Sequence, residues 1–446
     1  MTAFNPLPAE LSRRNLLRGG GMGTAALALS GLSGAAFAQR EVRDASAMWP
    51  NVAALQERYV GRQRVANMVS AIGVGDADTA YIADGPLSLG GMVQAGPDSL
   101  YRIYSMTKPI TGMAVMMLID EGKLGLDQPL KEILPAFGNM RVLKSPTGAL
   151  SDTVPAERDV TIRQLLTHTA GLGYAIIQTG PIKQAYETAG INPAQVTRLP
   201  IPGIGTARPA PSLKAFADRL AELPLVYQPG TKWSYSVGLD LLGRVIEVVS
   251  GQSFDTFLEE RFFGPLGMDS TFFTVPRSQV ARLTTNYGNL GGNLLPLDPA
   301  RASIYLDKPE FPFGGAGLVS SPRDYDRFLR MLGNYGTFEG KRIMSEAAVK
   351  LGTSDLLPQG ASTAGTWVAG EGFGAGGRSG KGENAGTFGW SGAAGTLAFV
   401  NMLTGLRVGM YVQYMPDSSL PLRDEFIAAL QQDVSAKMGA AKKDAA

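Results

Sequence analysis

Cysteine is absent from the 446 residues, and histidine occurs once, at His168. Without thiols there is no disulfide framework, no thiolate nucleophile and no Cys/His metal cage. The same scarcity excludes iron–sulfur and haem ligation, so no cofactor and no metal are expected. An excess of one charge is missing as well. Lys and Arg number 41 against 39 Asp and Glu, a formal net charge of +2 that offers neither a basic stripe for nucleic acid nor an acidic tail. Long hydrophobic runs are also lacking, and no stretch after the N-terminal segment is apolar enough to span a bilayer. What remains is 44% apolar and 18% charged, which suits one large globular body or two packed lobes.

The first 38 residues read as an address rather than as part of the fold. Ser12-Arg13-Arg14-Asn15-Leu16-Leu17-Arg18 is similar to a twin-arginine export motif, and a Gly/Ala-rich run follows from Gly19, ending in Ala36-Phe37-Ala38. Cleavage after Ala38 leaves Gln39 as the new N-terminus. The expectation is recognition by the twin-arginine translocation machinery, a periplasmic location, and a mature chain without a stable membrane span.

In the mature chain, residues 39–446, Val52 to Met68 reads as a helix. Val69–Val74 and Ala80–Ala83 read as strands joined by the turn Gly75-Asp76-Ala77-Asp78. Helical patterns dominate from about 110 to 270, interrupted by a surface loop at Leu199–Gly205. Strands return at Thr396–Val400 and Arg407–Val412, and an amphipathic helix runs from about Leu422 to Met438. Strands near both ends with helices between them predict an α/β fold of the α+β type: a central antiparallel sheet built from the N- and C-terminal segments and flanked by helices. The sheet lobe is expected at about 39–110 and 340–440, and an inserted helical lobe at about 111–339.

Chemistry concentrates at Ser105-Met106-Thr107-Lys108. Residues three apart on a helix are neighbours, so the Lys108 amine can reach the Ser105 hydroxyl without any histidine. Ile110, Met113, Ala114, Met117 and Leu118 give the segment a buried face, and Pro109 restricts it to a first helical turn. Ser105 is thereby expected at a helix N-terminus, where free N–H groups favour a developing oxyanion. His168, at the glycine-terminated end of an apolar stretch, reads as a hydrogen-bonded structural residue. Tyr235 stands at the entry to the helical run Gly238–Val249, and Gly389-Trp390-Ser391-Gly392-Ala393-Ala394-Gly395 precedes a strand. The glycine-rich run Gly372–Gly380 lacks a Gly-Lys-Ser/Thr ending and reads as a flexible hairpin connection, not a phosphate loop.

Taken in order, Tyr104–Lys108, Leu165–Leu172, Tyr235-Ser236, Phe263–Met268, Gly315–Tyr325 and Gly389–Gly392 resemble the serine beta-lactamase-like family. That family includes class C beta-lactamases, DD-peptidases and esterases, and the similarity spans roughly residues 50 to 435. The resemblance implies a serine hydrolase with Ser105 as nucleophile, Lys108 and Tyr235 as general base and acid, and the N–H groups of Ser105 and Ala393 as oxyanion hole. Trp390, Ser391 and Gly392 then form the substrate wall. Two departures point to the esterase branch: Val237 stands where penicillin-recognising members carry asparagine, and Trp390-Ser391-Gly392 replaces their Lys-Thr-Gly or His-Thr-Gly. An indole in place of a cation suits neutral ester groups. The expected partner is a small-molecule ester or amide. Beta-lactam cleavage, D-amino-acid peptidase activity, amide hydrolysis and acyl transfer use the same residues and stay open at this point.

Overall fold

A computed structural model describes residues 45–192, 194–199 and 208–443. The N-terminal stretch read as an export signal and all but the first residue of the Leu199–Gly205 loop lie outside the described residues. The site depends on α1 (Pro50–Gly61), β1 (Met68–Val74), β2 (Ala80–Asp84), α2 (Thr107–Asp120), α3 (Ile162–Leu166), α4 (Gly238–Ser250), α5 (Pro322–Gly333), β3 (Gly372–Phe373), β4 (Arg378–Ser379), β5 (Thr387–Ser391), β6 (Leu397–Asn401), β7 (Leu406–Tyr411) and α6 (Leu422–Lys443).

The strands form one antiparallel sheet in the order β3-β4-β5-β6-β7-β1-β2. The N-terminal hairpin meets the C-terminal strands at β1 and β7, in a register running from Val69 opposite Tyr411 to Val74 opposite Leu406. Side chains two apart share a face of a strand. One face accordingly turns Met68, Ile72, Phe399, Val408 and Met410 toward α1 and α6, whose Leu55, Tyr59, Phe426 and Leu430 complete that layer. Asp433 of α6 also accepts the backbone N–H groups of Asn51 and Val52 at 3.0 and 3.1 Å, capping the start of α1. The other face turns Val69, Ala71, Ala398 and Val400 into the larger core shared with α2 and α5. The beta-lactamase/transpeptidase-like architecture expected from the resemblance is the one observed.

Three elements differ from expectation. The first helix stops at Gly61, well before Met68, because Gln63 takes a left-handed conformation (φ 52°) and the chain re-enters as β1. The last helix continues past Met438 to Lys443. The glycine run after Gly372 is part of the sheet: Gly372 and Phe373 pair with Ser379 and Arg378, around a turn in which Gly376 has φ 74°. That turn packs on α2, where a Cβ on Gly376 would overlap the Lys108 carbonyl.

Candidate active site

Ser105 lies on a 3-10 turn, Tyr104–Met106, immediately before α2 rather than within it. The turn forces Tyr104 to φ 42°, a costly conformation for a bulky residue. Bonds from the 314–325 segment hold it. Tyr325 donates to the Met106 carbonyl at 2.9 Å, the Thr107 hydroxyl accepts from the Leu318 N–H at 3.1 Å, and Thr111 donates to the Gly314 carbonyl at 2.7 Å. α2 is therefore buried on every side through Leu118, including the whole of Lys108.

A buried lysine must place its N–H groups somewhere. Lys108 Nζ donates to the Gly315 carbonyl at 2.7 Å and to Ser105 Oγ at 3.2 Å. It lies 4.6 Å from the centroid of the Tyr235 ring and 5.5 Å from that of Tyr174. The Tyr235 hydroxyl accepts a hydrogen bond from Trp390 Nε1 at 3.1 Å. Hydroxyl, amine and phenol, expected from two distant motifs, are thus brought into one crevice.

Tyr235 stands within a cage of rings. His168, Tyr174, Trp233, Trp367 and Trp390 have centroids 4.7, 5.3, 6.0, 5.1 and 5.8 Å from it. His168 contributes packing and a hydrogen bond. Its Nδ1 accepts the Ser236 N–H at 3.2 Å and lies 2.9 Å from the Ser236 hydroxyl, which places the ring proton on Nε2. Burial, and secondarily the Lys108 charge, hold its pKa well below the usual 6.5, so the ring is neutral.

The second wall is the end of β5. β5 is an interior strand, not an edge, but the short β4 covers only Phe388 and Gly389, so Trp390 and Ser391 open onto the cleft. Gly392 follows, and a Cβ there would overlap the Ile103 carbonyl, so this backbone lies directly against the Ser105 turn. Ser105, Tyr235, Trp390, Ser391, Gly392 and Ala393 all line one cleft of about 1090 Å³, whose rim adds Ile176, Trp367, Arg378 and Arg423.

Sequence reasoning passed over two contributors. Asp240, in the first turn of α4, is fully buried, and its Oδ1 accepts the Gly315 N–H at 2.8 Å. Its signal was a lone carboxylate in the apolar run Leu239-Asp240-Leu241-Leu242. Arg378, within the glycine-rich run, lies 5.9 Å from the Trp390 ring centroid and donates to the Trp367 carbonyl at 2.8 Å. Burial lowers the Arg378 pKa to about 10. Among the described residues no group of three His, Cys, Asp or Glu side chains could hold a metal ion, and no helix is long and apolar enough to cross a membrane.

Protein Rv1367c of Mycobacterium tuberculosis is 36% identical over 342 residues, 72% of this chain and 79% of that protein. Esterase EstB of Burkholderia gladioli is 30% identical over 332 residues, 70% of this chain and 76% of its own. The solved structure of EstCE1, a hydrolase with promiscuous acyltransferase activity, superposes with a TM-score of 0.70 at 24% identity, covering 87% of this chain and 100% of that one. The beta-lactamase family profile matches residues 52–432. With nearly the whole described chain inside that match, the protein belongs to the beta-lactamase family and is a serine hydrolase.

Proposed function

We propose that the protein cleaves carboxylic esters through an acyl-enzyme on Ser105. The observation that carries this reading is the indole N–H of Trp390 on the Tyr235 hydroxyl, in the triplet where the family resemblance implies a cation for penicillin-recognising members. A wall of this kind favours neutral acyl and alcohol groups over a carboxylate. The name of EstB, and that of the lovastatin esterase of Penicillium rubens, 31% identical over 249 residues, support the same class.

In the proposed reaction Ser105 Oγ attacks the ester carbonyl while its proton passes to the Lys108/Tyr235 pair. The N–H groups of Ser105 and Ala393 stabilise the tetrahedral oxyanion. Tyr235 then protonates the departing alkoxide, and water activated by the same pair releases the acid. Replacing that water by an alcohol turns hydrolysis into acyl transfer. For the N-terminal segment we propose twin-arginine export to the periplasm, tested by locating the cleaved protein in cell fractions with Arg13 and Arg14 intact or replaced by lysine.

The decisive experiment is p-nitrophenyl ester turnover, with nitrocefin alongside, by wild type and Ser105→Ala. Short esters turned over by the wild type and not by the variant are expected, with the acyl-enzyme mass seen only in the wild type. Nitrocefin cleavage as fast as ester cleavage overturns the ester assignment, and unchanged turnover by Ser105→Ala overturns the nucleophile.

A further inference from the structure

We infer that Asp240 is a positioning residue for the proton-transfer pair, holding Lys108 in place through the Gly315 peptide and supplying the buried counter-charge to its ammonium. The inference rests on the Ser105/Lys108/Tyr235 reading and extends it to a residue from a separate element.

The Gly315 peptide is used from both sides: its N–H donates to Asp240 Oδ1 at 2.8 Å, and its carbonyl accepts from Lys108 Nζ at 2.7 Å. An anion on the N–H side polarises the peptide and strengthens the carbonyl as acceptor. The contact is also sterically specified, since a Cβ on residue 315 would lie 2.5 Å from Asp240 Oδ2. Only glycine lets the peptide seat this closely. Asp240 is fully buried, and Oδ2 has no hydrogen-bond partner among the described residues. Placing a carboxylate there is unfavourable unless a nearby cation compensates it, and Lys108 is the cation acting on it.

The titratable groups around this carboxylate are Lys108 from α2, Tyr174 from the segment after α3, and, beyond Lys108, Tyr235 and His168. Desolvation raises the Asp240 pKa to about 6, against the lowering effects of Lys108 and the Gly315 N–H. His168 is pushed well below its usual range and Tyr174 well above its own, both chiefly by burial. Protonation of Asp240 near pH 6 would remove this counter-charge, so activity is expected to fall on acidification through that range.

The test measures the rate of Ser105 labelling by a fluorophosphonate and the kcat and KM for p-nitrophenyl butyrate between pH 5 and 9, for wild type and Asp240→Asn. Asparagine keeps an oxygen for the Gly315 N–H and removes only the charge. The expected wild type shows an acid limb near pH 6 in both rates. In Asp240→Asn the limb disappears and kcat falls about tenfold at pH 8 with KM little changed. A variant that keeps the wild-type limb and kcat overturns the inference, as does a wild type without an acid limb between pH 5 and 7, a result that needs no variant to fold. Ser105 labelled in the absence of ester turnover overturns the ester reading alone. Ser105 unlabelled at every pH overturns both.

Discussion

Trp390 touches the proposed chemistry through one bond, its indole N–H on the Tyr235 hydroxyl at 3.1 Å. Phenylalanine at 390 keeps most of the wall and deletes the donor, and a single neutral hydrogen bond is worth about 0.5–1.5 kcal/mol net. Trp390→Phe is therefore expected to lower kcat for p-nitrophenyl butyrate about threefold to tenfold with little change in KM. A raised KM at constant kcat would instead make Trp390 a plain wall. His168 acts on stability. Its folded-state pKa lies well below 6.5, so on acidification the unfolded chain takes up a proton that the native state refuses. Stability is then lost as pH falls below about 6.5, by at most about 1.4 kcal/mol per pH unit. Asp240, raised to about 6, has the opposite sign, because the folded carboxyl binds its proton before the unfolded one. Comparing wild type with His168→Gln cancels the Asp240 contribution. Urea unfolding at pH 6.5 and 5.5 should show the wild type losing about 1 kcal/mol more than the variant. Equal losses would mean that the His168 ring titrates normally.

At the scale of elements, the site is a junction between the turn before α2 and the end of β5. Gly392 makes that junction possible, since any side chain there runs into the Ile103 carbonyl. In Gly392→Ala the strand end must move away from Ser105, taking with it the Ala393 N–H proposed as the second oxyanion donor. Loss of one oxyanion donor costs about 10²–10³ in kcat, so a fall of that order is expected with only a modest drop in melting temperature. An active Gly392→Ala would place the second donor elsewhere. The elements around this junction differ in how openly the sequence announced them. The Ser105–Lys108 spacing and the alternation Leu397/Phe399 against Ala398/Val400 are local periodicities: the first puts Lys108 Nζ 3.2 Å from Ser105 Oγ, and the second matches the two sheet faces observed. Arg378 and Asp240 were not legible in the same way. β4 is two residues long and shows no alternation, and the Gly315 N–H that gives Asp240 its meaning lies 75 residues along the chain. A contact of that separation is fixed by how α4 docks on α2, which no local pattern encodes. The early end of α1 escaped for a related reason: apolar residues continue beyond Gly61, and only the left-handed turn at Gln63 marks the stop.

For the whole molecule the question is what holds the long insertion between β2 and β3 against the sheet. Arg102, on the segment leading into the Ser105 turn, is wholly buried. Its Nε donates to Asp298 Oδ2 at 2.7 Å, Nη1 to the Thr284 carbonyl at 2.6 Å, and Nη2 to Ser303 Oγ at 3.0 Å. Its backbone N–H and carbonyl bond to the Gln413 side chain, each at 3.1 Å, just beyond the end of β7. One residue therefore ties the insertion, the C-terminal strand and the approach to the nucleophile. Removing one partner of a buried pair leaves an uncompensated charge, at a cost of about 3–5 kcal/mol, whereas replacing both by apolar groups is often neutral. Asp298→Ala should accordingly lower the melting temperature by several degrees and reduce esterase activity, because the turn carrying Ser105 loses its anchor. The double change Arg102→Met with Asp298→Leu should regain most of the melting temperature, but less of the activity, since Met cannot bond the Thr284 and Ser303 oxygens that orient the segment. Thermal melts and p-nitrophenyl butyrate turnover on the three proteins separate the two roles. A double variant that recovers both in full would show that the pair serves stability alone, and an Asp298→Ala protein that melts with the wild type would remove it as the clamp.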